Sequence, residues 1–185
     1  GVLTDDWTDA ADQVSSGQAA MTLMGSWITG YWKGKQLVPE EEFDFFPFPE
    51  IDPAKSRVVV GPVDGFVVGA NSMNKGQAAN LIDFLLTDLT LQQGWVTAQG
   101  ALSPNRLVPA SIYDPVMKKV LREVEQVEHF VFNYDLSTSP PVAELGLSMF
   151  RRFLQMNGNV AEELNEIAGM AEILLDSDAS IHEKY

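Results

Sequence analysis

The side chains able to do chemistry in this chain are carboxylates and aromatic rings; thiols are missing and imidazoles nearly so. With no cysteine, there are no disulfides, thiolate metal sites or cysteine nucleophiles, and the redox compartment stays open because such a chain suits either side of a membrane. Histidine stands only at His129 and His182, too little for a histidine-based triad or a multi-histidine metal centre. His182 falls in a polar tail, and His129 reads as a loop or packed residue. The glycine spacings of a nucleophile elbow, a phosphate loop and a dinucleotide fingerprint do not occur, and GPVDGFVVG fits none of them. Neither a metal nor a cofactor is expected.

A glycosidase needs only two carboxylates held across a cleft, and carboxylates are plentiful. Most read as solvated: Glu162, Glu163 and Glu166 fall on the polar face of a helical pattern, and Glu40, Glu41 and Glu42 form a charge run. Asp64 differs, because it stands between Gly61 and Gly65 at the start of a strand. There its carboxylate either accepts hydrogen bonds from a ligand or satisfies its own turn. Sugar rings expose apolar C–H faces that stack on indole, so the tryptophans are the other candidates. Trp7 and Trp95 lie at helical spacing among apolar residues and read as core. Trp27, behind Gly25-Ser26 and without periodic neighbours, suits either a core place or a ligand-facing corner. Tyr31 and Trp32 read as packing for a short helix behind it.

The elements that must position these residues follow from pattern and punctuation. Thr4 or Asp5 predicts a helix start, Gly17 its stop, and Trp7, Ala10, Ala11 and Val14 its apolar stripe. Short β-rich runs predict strands at 19–24, 43–48, 58–60 and 65–69, with a Gly-Pro-x-Asp-Gly turn between the last two. Asn71 or Ser72 predicts the cap of a helix carrying Ala78, Ala79, Ile82, Leu85 and Leu86 inward, and Asp88 or Thr90 opens another through about Ala98. Asp114-Pro115 gives a cap followed by proline at the first helical position, with Val116, Val120, Val124 and Val127 on one face. Val142, Leu145, Met149, Phe150 and Phe153 mark the next helix, ended by Gly158. A last helix from near Asn159 carries Val160, Leu164, Ile167, Ala171 and Leu174 inward, with a polar tail from Asp176. The sum is α/β, helix-rich with few short strands. Those strands are too few to cover the helices, so partners from upstream sequence or another chain are expected.

At 185 residues the chain can bury about 70% of its unfolded surface. Its 26 acidic against 12 basic residues give a formal net charge of -14, which argues against nucleic acid and anionic membranes as partners. The abrupt Gly1-Val2-Leu3 start points to a processed or excised chain. No run is long and apolar enough to span a membrane.

Read as a series, SSGQAAMTLMGSW, FDFFPFPEI, GPVDGFVVGANSMNKGQAANLIDFLLTDLTLQQGW and GALSPNRLVPAS resemble the family 1 extracellular solute-binding proteins of bacterial ABC importers, the maltose-binding-protein type. The matching positions are Gly17-Gln18-Ala19-Ala20-Met21, Gly25-Ser26-Trp27, Phe48-Pro49, Asn71-Ser72-Met73-Asn74 and Leu102-Ser103-Pro104. The resemblance implies a periplasmic-binding-protein-like type II fold, of which this chain is the C-terminal half. It assigns 1–50 to the C-terminal lobe, 51–60 to a crossover, 61–110 to the N-terminal lobe and 111–185 to C-terminal-lobe helices. It further implies a sugar or oligosaccharide between two lobes and delivery to ABC permease subunits, without catalysis. The location implied is periplasmic or extracellular, lipid-anchored in a Gram-positive type of envelope. The upstream half, from the same protein or another chain, completes the lobes.

By that resemblance Trp27 falls on the sugar-stacking platform, beside Ser26. Asp64-Gly65 stands where many relatives have paired glycines, Arg106 where they often have a cleft-lining arginine, and Tyr134 and Asp135 precede a helix whose start faces the cleft. The aromatic that several relatives carry on that helix is Leu145 or Gly146 here. Two other readings stand beside this one: a glycoside hydrolase fragment, which requires two facing carboxylates, and an acidic non-enzymatic interaction domain, which requires a packed Trp27 and no cleft.

Overall fold

A computed structural model describes residues 4–54, 57–61, 64–155 and 159–182, with side chains as far as Asp176. Its contacts divide the chain into two units. One comprises Asp5–Val59 with Val63–His129, and the other Gly1–Thr4, Val60–Pro62 and Phe130–Tyr185.

In the larger unit, helix α1 spans Trp7–Ser15. Its cap is Asp6, not Thr4 or Asp5, because Asp6 has a carboxylate three residues on to close a reciprocal box. Asp6 Oδ1 accepts from the Thr8 and Asp9 amides at 2.7 and 3.0 Å, while Asp9 Oδ2 accepts from the Asp6 amide at 2.9 Å. Gly17, at φ 74°, takes the left-handed turn that ends the helix, as its sequence position predicts.

Helices α2 (Ile28–Gly34), α3 (Lys75–Thr87), α4 (Leu89–Gln99) and α5 (Pro115–Gln126) follow, with a 3-10 turn at Ala110–Ile112. Asp88 and Asp114 cap as predicted, accepting from the Leu91 and Met117 amides at 2.8 and 2.9 Å. The start of α3 moves to Asn74, whose amide is held by Ser72 Oγ at 3.2 Å. Of its predicted stripe, Ala78, Ile82 and Leu85 are half-buried and Ala79 and Leu86 exposed.

Two apolar clusters form the core of this unit. Ala11, Ile28, Trp32, Phe43 and Val116 make the first, and Val96, Val108, Tyr113, Met117 and Val120 the second. Adjacent residues of α5, Val116 and Met117, serve one cluster each, and Phe45 borders both. Where α2 meets the end of α4 the backbones nearly touch. Thr29 Oγ1 donates to the Gly100 carbonyl at 3.0 Å in a buried bond. A Cβ at Gly30 would lie 2.3 Å from the Gln99 carbonyl oxygen, and one at Gly100, at φ 67°, the same distance from the Gly30 nitrogen. Only glycine satisfies both demands at Gly100.

The strands are fewer than predicted. Of the four runs only Val58–Val60 is a strand, β1, and its partner is β2, His129–Val131, at the place predicted as a loop or packed histidine. The Glu128 amide donates to the Arg57 carbonyl and the Gly61 amide to the Val131 carbonyl, a same-sense progression that makes the pair parallel. Runs 19–24, 43–48 and 65–69 form no ladder, apart from one isolated bridge between Pro39 and Phe43. A strand exists only as a paired object, and these runs lack a neighbouring edge among the described residues; Met21, Leu23, Phe46, Phe48, Phe66 and Val67 accordingly stand exposed. Residues 62 and 63 of the predicted turn lie outside the described residues.

In the smaller unit, α6 (Tyr134–Ser137), α7 (Pro140–Gln155) and α8 (Val160–His182) bury Val142, Ala143, Gly146, Glu163 and Ile167. The predicted stripe of α8 holds at Ile167, which is buried, and at Ala171 and Leu174, which are half-buried, but in the first turns Val160 and Leu164 are exposed and Glu163 is buried. Glu163 pairs there with Arg152 of α7, which supplies the countercharge a buried carboxylate requires. Phe150 and Phe153, predicted inward, are exposed. Backbone helix continues through Asp176 to His182 where a polar tail was expected, and Gly158 lies outside the described residues. The architecture is thus helix-rich α/β with one small parallel two-stranded sheet.

Candidate ligand-binding site

The corner at Gly25-Ser26-Trp27 is built by the turn that opens α2. The amides of Ile28, Thr29 and Gly30 donate to the carbonyls of Gly25, Ser26 and Trp27, each at 3.1 Å. Trp27 therefore sits at the cap position, with helical backbone angles and no side-chain capping bond. Its indole folds back over Gly25 so closely that a Cβ there would lie 2.4 Å from Nε1. Glycine at 25 is what leaves room for the ring.

Three aromatic rings meet at this corner. Trp7 crosses Trp27 edge to face at 4.7 Å and 87°, and Tyr31 at 5.1 Å and 70°. Trp7 and Trp27 remain 41% and 38% exposed. Trp7 is not the core residue that its helical spacing predicts. The cap at Asp6 makes it the first residue of α1, at the rim of the helix rather than on its buried stripe; an acid pair three apart ahead of an apolar stripe was the signal available. Trp95 is likewise exposed, at 54%, because the phase of α4 carries Val96 inward instead.

The corner is braced from below. Tyr31 donates its hydroxyl to Asp12 Oδ1 at 3.0 Å, Lys35 pairs with the same carboxylate, and the Lys35 ammonium lies 4.6 Å from the Tyr31 ring centre. The bonds from Lys35, first, and Tyr31 hold the Asp12 carboxyl below its ordinary range, and the Asp12 bond raises Lys35. Along α1 an open depression of about 330 Å³ is lined by Asp5, Asp9, Asp12, Gln13, Ser16 and Gln18. Behind the corner Trp32 is buried, donating Nε1–H to the Ala11 carbonyl at 3.1 Å, and Tyr31 packs half-buried against the same core. Both are the packing residues their sequence positions predict.

Asp64 and Gly65 are exposed in an irregular stretch, and Arg106 is exposed in the loop after α4. Among the described residues no hydrogen bond, ion pair or ring contact ties any of them to the corner. The hub of the Arg106 loop is Ser103: its Oγ donates to Gln92 Oε1 at 2.6 Å and accepts from the Asn105 amide at 3.0 Å, while Tyr113 Oη accepts from its amide at 3.0 Å. In the smaller unit Tyr134 donates to the Val142 carbonyl at 2.7 Å. A Cβ on Gly146 would lie 2.5 Å from that ring, so the Tyr134 phenol fills the space that the missing helix side chain leaves. Asp135 is exposed in the first turn of α6. Among the described residues no cluster of ligating side chains suits a metal, and no helix is long and apolar enough to cross a membrane.

Residues 1–88 match the family described as bacterial extracellular solute-binding protein. The chain is also similar to an uncharacterized ABC transporter extracellular-binding protein of Pyrococcus horikoshii, 31% identical over 122 residues, which are 66% of this chain and 26% of that protein. It thus spans about a quarter of the length of the curated relative it matches. No solved structure matches it significantly. The Gly-Ser-Trp corner and the preceding Gly-Gln-Ala-Ala-Met run both lie inside the residues that match the bacterial extracellular solute-binding protein family.

Proposed function

We propose that this chain is the C-terminal part of the solute-binding component of an ABC importer, and that it contributes one wall of a cleft for a carbohydrate or similar polar solute. The observation that carries the reading is Trp27, an indole left partly open on a glycine corner. An aromatic face held there offers a sugar ring its stacking surface. Ser26, Asp64, Gly65 and Arg106 of the larger unit are the proposed polar partners of the ligand hydroxyls, and Tyr134 and Asp135 are those the smaller unit offers. The protein works in the periplasm or on the cell surface and hands its solute to membrane permease subunits without catalysis.

The exposed runs at 19–24, 43–48 and 65–69 support a type II arrangement in which upstream sequence supplies the missing strand partners. In that arrangement 1–50 and 111–185 belong to one lobe, 51–60 crosses over and 61–110 belongs to the other. The test is a tryptophan fluorescence titration against a panel of mono- and oligosaccharides, on this chain and on a version extended upstream. The extended version is expected to respond and its Trp27→Phe variant to lose the response, with weak or no binding by the chain alone. No response from either, or turnover of a glycoside, overturns the proposal.

A further inference from the structure

We infer that Trp7 is a positioning residue for Trp27: it holds the indole in the one orientation the corner offers, so that the ring is set before any ligand arrives. The inference rests on the reading of Trp27 as a ligand platform and extends it to a residue that never needs to touch the ligand. Two surfaces define where the Trp27 ring can lie. One is the Gly25 backbone, so near that a Cβ would meet Nε1 at 2.4 Å. The second is the Trp7 ring, crossing at 4.7 Å and 87°. Neither surface is itself loose. The capping box between Asp6 and Asp9 fixes the first turn of α1, from which Trp7 projects, and Tyr31 supports Trp7 at 5.1 Å while its hydroxyl is bonded back to Asp12 of the same helix.

The chemistry favours this role over simple packing. Trp7 is 41% exposed, so it gains far less from burial than a core indole, and what it contributes is an edge-to-face contact of fixed geometry. A stacking residue that rotates freely must be ordered when the ligand binds; one already ordered spares that cost and binds more tightly for the same contacts.

The test uses the full chain labelled with 5-fluorotryptophan, which gives one fluorine resonance for each of its 4 tryptophans, that of Trp27 assigned by Trp27→Phe. Trp7→Leu removes the aromatic brace and Trp7→Phe keeps a smaller one. The Trp27 resonance is expected to change width in Trp7→Leu, broader where the ring exchanges slowly between orientations and narrower where it rotates freely, and to return toward the parent width in Trp7→Phe, while Trp32, buried behind the corner, keeps its width in both. A Trp27 line of unchanged width in Trp7→Leu overturns the inference. Maltose, cellobiose and mannobiose are then titrated into the upstream-extended protein. A sugar that moves the Trp27 resonance there is expected to bind Trp7→Leu about three- to tenfold more weakly, the size of one aromatic pair, and Trp7→Phe within about twofold. Equal affinity in Trp7→Leu removes the positioning role and leaves Trp27 as a platform. If none of the sugars moves Trp27, the platform reading fails for them, and the line widths still decide the role of Trp7.

Discussion

Trp32 and Trp27 belong to the same short helix and its cap, yet they lie in opposite surroundings. Trp32 is 6% exposed, its N–H bonded to the Ala11 carbonyl at 3.1 Å and its ring tilted on Phe43 at 5.1 Å. Trp27 rests on bare glycine backbone and a second half-open indole. Among the described residues its side chain forms no hydrogen bond. A buried indole needs an internal acceptor for its N–H, and the α1 backbone supplies one to Trp32 only. The comparison separates a tryptophan that holds the fold from one that the fold displays.

Breaking the buried side has the largest expected effect. Trp32→Ala is expected to cost about 3–5 kcal/mol in urea unfolding, the range for deleting a large core aromatic. Gly100→Ala comes next, at about 3 kcal/mol, because it adds left-handed strain to a clash with the Gly30 backbone. Gly34→Ala at the end of α2, where a Cβ meets nothing within 4 Å, is the control and is expected to be slightly stabilising. On the displayed side, Trp27→Ala is expected to cost about 1 kcal/mol or less while it abolishes the fluorescence response to ligand. A stability loss as large as that of Trp32→Ala would erase the distinction.

The smallest effect concerns acid. Lys119 Nζ donates to both carboxylate oxygens of Asp44 at 2.8 and 2.7 Å, next to core residue Phe43. That bond, and then the Phe45 amide, hold the Asp44 carboxyl below its ordinary range. The contribution is therefore complete above the unfolded carboxylate pKa of about 3.9 and is lost as pH falls through the lower folded value. Lys119→Met is expected to lower Tm slightly near neutrality and to leave it unchanged at pH about 2, so that the fall of Tm below about pH 4 flattens by that same small amount, kept small because the pair is partly exposed.

Much of the helical layout was legible because helix ends are written in a few neighbouring residues. Asp88, Asp114-Pro115 and Gly17 all act where their types predict. What went astray was side-chain destination. Trp7 and Trp95 have core-like spacing, yet a one-residue change in cap or phase carries each to the surface. Glu163 reads as a solvated acid until Arg152, from another helix, meets it.

Strand pairing behaved in the same way. The run 58–60 and the segment at 129–131 find each other across some seventy residues of chain, which no local pattern announces, while equally β-rich runs at 19–24 and 65–69 stay unpaired among the described residues. The Gly-Ser-Trp corner and the composition follow from the chain alone, because a glycine turn and the lack of thiols are properties of neighbouring residues and of the chain's make-up. Which tryptophan is buried, which is displayed and what stands beside it are decided by contacts between distant segments, whose energies depend on where both partners arrive.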